Sequence, residues 1–146
     1  MRNAEHYPDP TAGGALKAKN KVTMPEADEQ IAVMRWADFA SGKYPCLEWL
    51  FHIPNGGTRH PAEAMQLKRM GVKSGVPDLF LPYPIGGYHG LWVEMKSAVG
   101  RPSETQKKWM EYLTSQGYKV VMCRGGASAI NEIRRYITNG KADDPV

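Results

Sequence analysis

Gly75-Val76-Pro77-Asp78-Leu79-Phe80-Leu81 and Gly90-Leu91-Trp92-Val93-Glu94-Met95-Lys96 decide the fold of this chain. Both are short apolar runs with charged residues at or near their ends. A strand turns alternate side chains to the same face, so Glu94 and Lys96 lie side by side while Leu91, Val93 and Met95 face the other way. With Asp78 at the mouth of the neighbouring run, two acids and an ammonium come together on adjacent strands. Such a set can hold a divalent cation and a water molecule. The plainer reading is an exposed strand with a Glu–Lys pair, worth well under about 1 kcal/mol. Leu91-Trp92-Val93 argues for a buried strand instead, where an unpaired carboxylate is costly. Pro77 fixes the chain direction just before Asp78.

The 146 residues fit one domain with a single core, and 42% hydrophobic content is ordinary for a globular protein. No apolar stretch approaches the roughly 20 residues of a membrane span, and the N-terminus has no signal-peptide core, so a cytoplasmic location is expected. Cys46 and Cys123 follow no CxxC spacing, which points to free thiols in a reducing compartment. A net charge of +4 and a pI near 9.1 agree with a polyanionic partner.

Residues 1–24 contain Pro8, Pro10, Gly13 and Gly14 and then Lys17, Lys19 and Lys21, and they read as a flexible basic arm. A first helix starts near Pro25, with Glu26, Asp28 and Glu29 at the positive end of its dipole, and stops at Gly42. Leu47 to Ile53 reads as a strand followed by the Pro54-Asn55-Gly56-Gly57 turn. Pro61 to Met70 reads as a helix closed by Gly71. The strands at Asp78–Pro82 and Leu91–Ser97 form a hairpin across Tyr83–Tyr88. Ser103 and Gln106 have capping-box spacing at the start of a helix that ends at Gly117. A strand at Lys119–Cys123, a helix over Ala127–Ile137 and a frayed tail over 140–146 complete the chain. The order α-β-α-β-β-α-β-α predicts an α/β domain over 25–139, a mixed four-stranded sheet flanked by helices.

Magnesium and manganese prefer oxygen ligands, typically one or two carboxylates with water and substrate phosphate. Asp78 and Glu94 supply carboxylates, and the Met95 carbonyl can supply a third oxygen. A cation there polarises a phosphodiester and acidifies a water, while Lys96 orients that water and counters developing charge. Glycines in Asn55-Gly56-Gly57 allow close backbone approach to a phosphate, and Arg59, Lys68, Arg69 and Lys73 form a candidate phosphate-contacting surface. A turn and ordinary solvated helix charges explain the same residues. His52, His60 and His89 suit strand-end and loop positions better than ligation. Trp36, Trp49, Trp92 and Trp109 are expected in the core.

Together these motifs give a more specific signal. Pro77-Asp78 and Glu94-Met95-Lys96 resemble the two hallmark elements of the PD-(D/E)XK nuclease superfamily, which has a restriction-endonuclease-like core. Within it the chain is similar to the VRR-NUC (virus-type replication-repair nuclease) domain, especially its small stand-alone phage forms. Glu26–Gln30, Ile53–Arg59, Leu67–Leu79, Trp92–Lys96 and Ser103-x-x-Gln106 carry this resemblance over about residues 25 to 125.

The resemblance implies a magnesium- or manganese-dependent endonuclease acting on DNA. Asp78, Glu94 and Glu26 would hold the metal, with Lys96 and Gln106 beside it and Gln30 on the same helix face as Glu26. It further implies branched substrates such as four-way junctions, and a homodimer. Glu26 and Glu29 equally suit the helix dipole, and Gln106 equally suits a plain cap. A degenerate nuclease fold serving only as a nucleic-acid-binding module is the rival from another class.

Overall fold

A computed structural model describes residues 24–54 and 60–139. The expected basic arm (except Met24), the 140–146 tail and the Asn55–Arg59 turn lie outside the described residues. The chain forms α1 (Glu26–Ala40), a 3-10 turn (Pro45–Trp49), β1 (Phe51–His52), α2 (Pro61–Arg69), β2 (Leu79–Leu81), β3 (Leu91–Lys96), α3 (Glu104–Ser115), β4 (Lys119–Arg124) and α4 (Gly126–Ile137).

The sheet runs β1-β2-β3-β4. The first two pairings are antiparallel, and β3 pairs parallel with β4. The β2–β3 connection is closed by an Ile85–Tyr88 bridge, whereas α3 provides the long crossover that a parallel pair needs. The mixed four-stranded sheet and its flanking helices are thus as the pattern predicts.

Alternation separates the two sheet faces. Leu79, Leu81, Leu91, Val93, Met95 and Cys123 have no exposed surface. They pack with Val33 and Ala37 of α1 and with Ala129, Ile133, Tyr136 and Ile137 of α4. Val33 and Ala37 are one helical turn apart, so both point at the sheet. The other face carries Phe80 and Trp92, paired across β2 and β3 and stacked at 4.2 Å. Tyr118 meets both rings edge-on. Glu94 and Lys96 continue the Trp92 row toward the end of β3.

Three expectations are corrected. Leu47 to Ile53 is not a single strand: Pro45 opens a 3-10 turn through Trp49, and only Phe51 and His52 pair with β2. Proline's fixed φ suits the first turn of a helix, and this local geometry overrides the strand preference of Leu and Trp. Trp49 does not join the core; it is 67% exposed, because the turn directs it outward. Trp36, Trp92 and Trp109 are half-buried. The first helix ends at Ala40 with Ser41 as its cap, ahead of the Gly42 stop signal.

Both cysteines are free. Cys123 is fully buried on the core face, and burial pushes its thiol up to about 11, while Cys46 is half-buried. Ellman's reagent on native protein should therefore label one thiol readily and the second only at the unfolding rate. Rapid labelling of both would place Cys123 on the wrong face of β4.

Candidate active site

Asp78 sits where the β2–β3 ladder stops. The last ladder pair is Leu79 with Val93, and beyond it the Asp78 side chain takes over the partner's role. The Met95 N–H donates to Asp78 Oδ2 at 2.7 Å. Pro77, fully buried, anchors the approach, and the Asp78 carbonyl accepts from Ile53 N–H at 2.9 Å and from His52 Nδ1 at 2.7 Å. Asp78 is therefore fixed on both sides, by β1 through its backbone and by β3 through its carboxylate.

Glu94 is completely buried, and its two oxygens are treated differently. Oε1 accepts from Lys96 Nζ and from Gln106 Nε2, each at 2.5 Å. Oε2 is buried with no hydrogen-bond partner among the described residues. Removing a carboxylate oxygen from water without a partner costs about 1–3 kcal/mol or more, and native structures rarely keep such groups without a use. Lys96 Nζ also reaches the Met95 carbonyl at 3.2 Å, so the oxygen considered as a third ligand is within reach of the ammonium.

The charges agree with this packing. Burial pushes the Glu94 carboxyl up to about 7, and the Asp78 and Glu26 charges push the same way, while the hydrogen bond and charge of Lys96 oppose them. Burial also raises Asp78, aided by Glu26 and opposed by the Met95 N–H, Lys96 and His52. Two carboxyls that resist ionising side by side are poised to accept a cation.

Gln106 holds two positions at once. Its backbone N–H donates to Ser103 Oγ at 3.2 Å, and its Oε1 accepts from Ser103 N–H at 2.8 Å, which completes the capping box of α3. Its Nε2 is then aimed at Glu94, so the cap and the site contact coexist. Gly75 lets the chain before Pro77 lie against this helix end. Its φ is +86°, and a Cβ there would fall 2.7 Å from Thr105 Cγ2 and 2.9 Å from the Thr105 carbonyl carbon.

Glu26 and Glu29 of α1 separate cleanly. Glu26 Oε2 accepts from Ser97 N–H at 3.0 Å, just past Lys96, whereas Glu29 Oε2 accepts from Gly126 N–H at 2.7 Å and caps α4. Among the described residues no group of three or more His, Cys, Asp or Glu side chains is set to grip a metal ion. Asp78 and Glu94 form a carboxylate pair, and the Glu26 charge acts on both of them.

Gln30 is half-buried on α1, with no hydrogen bond to Asp78 or Glu94 among the described residues. Lys68, Arg69 and Lys73 are exposed on and just beyond α2, a helix with no buried residue. Asn55, Gly56 and Arg59 lie outside the described residues. His60 accepts from Ala62 N–H at 3.3 Å to cap α2, and His89 rests against Tyr118. Sequence reasoning missed Glu29's cap on α4 and Arg124, which ends β4 opposite Lys96. The Gly125-Gly126 pair was the available signal, since adjacent glycines after a strand mark a close approach.

The family model described as the VRR-NUC domain matches residues 24–127. A solved VRR-NUC domain protein is 33% identical to this chain, covers 83% of it and 94% of its own length, and superposes with a TM-score of 0.69. No curated protein matches the chain.

Because the folded Glu94 pKa lies above its ordinary 4.5, native protein binds the extra proton. The stability this group contributes is full below the ordinary value and is lost as pH rises through about 7. Carbon-detected NMR titration of metal-free protein should find this carboxyl titrating near 7. Asp78→Asn should lower the midpoint and Lys96→Met should raise it. Shifts in the same direction would refute these opposed influences.

Proposed function

The chain belongs to the VRR-NUC domain family, and from that premise we propose that it is a metal-dependent endonuclease hydrolysing DNA phosphodiester bonds at Asp78, Glu94 and Lys96. The observation that carries this is the unpartnered, buried Oε2 of Glu94, beside an Oε1 already satisfied by Lys96 and Gln106. A hard cation fits, and the all-oxygen donor pair suits magnesium or manganese.

When bound by Asp78 and Glu94, with Glu26 adding negative charge from α1, such an ion would supply Lewis-acid polarisation of the phosphodiester and neutralise its developing charge. The chain's own residues do the rest. The Met95 N–H orients Asp78, and Gln106 orients Glu94 from a capped helix end. Lys96, only 9% exposed, keeps its ammonium at the carboxylate pair, where it can align an attacking water and stabilise negative charge on the phosphorus centre. The exposed Lys68, Arg69 and Lys73, together with Asn55, Gly56 and Arg59, supply non-specific phosphate contacts. Preference for branched or four-way-junction DNA, and a homodimer presenting two sites, rest on the family resemblance.

Incubation with a four-way junction and with linear duplex, in Mg²⁺ or Mn²⁺, tests the reading. Wild type should cut, and Asp78→Ala, Glu94→Ala and Lys96→Ala should each lose about 100-fold or more. Lys96→Ala should still bind DNA in a gel-shift assay. Equal cleavage by all four proteins would sink the assignment, and binding without cleavage by wild type would favour a non-catalytic module. Independently of turnover, Mn²⁺ should broaden amide resonances around Asp78 and Met95 in wild type and spare them in Asp78→Ala.

A further inference from the structure

Immediately after Lys96 the chain makes a turn, Ser97-Ala98-Val99-Gly100, before it reaches α3. Hydrophobic burial does not hold this turn in place: Val99 is 89% exposed. Polar contacts hold it. Arg124 Nη1 donates toward three carbonyls, at 2.6 Å to Gly100, 3.0 Å to Ser97 and 3.3 Å to Ala98. Gly100 N–H closes the turn onto Ser97, at 3.0 Å to Oγ and 3.2 Å to the carbonyl. Three carbonyl dipoles pointed at one place repel one another, and a cation at their focus is what makes that convergence favourable.

The turn touches the site at both of its margins. Its first amide, Ser97 N–H, is the donor that holds Glu26. Gly100 packs so closely on Lys96 that an added Cβ would lie 3.3 Å from Lys96 Cδ. Arg124 itself is set by register, as the residue paired with Lys96 across the parallel ladder, and Gly125 N–H donates to the Lys96 carbonyl at 3.2 Å.

Resting on the nuclease reading above, we infer that Arg124 is a positioning residue: its clamp on residues 97–100 fixes Glu26 and Lys96 relative to each other through one short piece of backbone. The guanidinium suits this role because its charge is permanent and its long side chain brings one terminal nitrogen, Nη1, to all three carbonyls.

The test compares wild type, Arg124→Ala and Arg124→Lys for cleavage of the same junction, with amide hydrogen exchange on each protein. Arg124→Ala should lose about 10- to 100-fold in kcat, the scale of a misplacement near 1 Å, with KM within about twofold. Ser97 and Gly100 amides should exchange faster, millimolar guanidinium ion should restore part of kcat, and Arg124→Lys should fall between. A raised KM with kcat preserved would overturn the inference in favour of a direct phosphate contact. Unchanged turnover, or unchanged exchange at Ser97 and Gly100, would also overturn it. Should Arg124→Ala fail to fold, the drop in kcat of Arg124→Lys at an unchanged Tm carries the same decision. An inert wild type would remove the nuclease reading, whereas the exchange measurement would still decide whether Arg124 clamps the turn.

Discussion

One buried carboxylate organises this protein. Glu94 is taken out of water at the end of a strand whose other face is packed solid with Leu91, Val93 and Met95. Ionising it there is expensive, and the surroundings respond on one oxygen only. Lys96 comes from its own strand and Gln106 from a helix reached across the following loop. Asp78, one strand over, is pinned by a backbone amide so that it faces the same region. The sheet, the helix cap and the charge pattern all serve this arrangement. The second oxygen is left without a partner among the described residues, in a fold that satisfies the first one twice.

Most of the architecture was legible because its signals are local. Period-two alternation over Leu91–Lys96 sorts core from site without any tertiary knowledge, and Ser103 with Gln106 marks a helix start by spacing alone. The 3-10 turn at Pro45–Trp49 was not legible. Leu47-Glu48-Trp49-Leu50-Phe51 has strand-like composition, and only the geometry set by Pro45 and the brevity of β1 decide otherwise. Of the site, Asp78, Glu94 and Lys96 could be found by chemistry and alternation. The division of labour between Glu26 and Glu29 could not, because both lie on α1 within one turn and only their distant partners, Ser97 and Gly126, tell them apart.

Those partners show how α1 unifies the fold. Val33 and Ala37 fill the core against the sheet, while two carboxylates at the start of the same helix reach the ends of β3 and β4. Glu29 occupies the N-terminus of α4, where the helix dipole and unsatisfied amides favour negative charge. The tight fit at Gly126, where a Cβ would lie 2.9 Å from the Glu29 backbone oxygen, explains why glycine stands there.

Gln106 has one more consequence. Helix ends are ordinarily the first part of a helix to fray, opening at little free-energy cost. In α3 the opening turn shares a single amide group between its own cap and the Glu94 carboxylate, so that turn cannot loosen without disturbing the carboxylate beside it. Fluctuations that would elsewhere be harmless here reach a buried carboxylate, and Glu94 inherits its steadiness from the start of a helix.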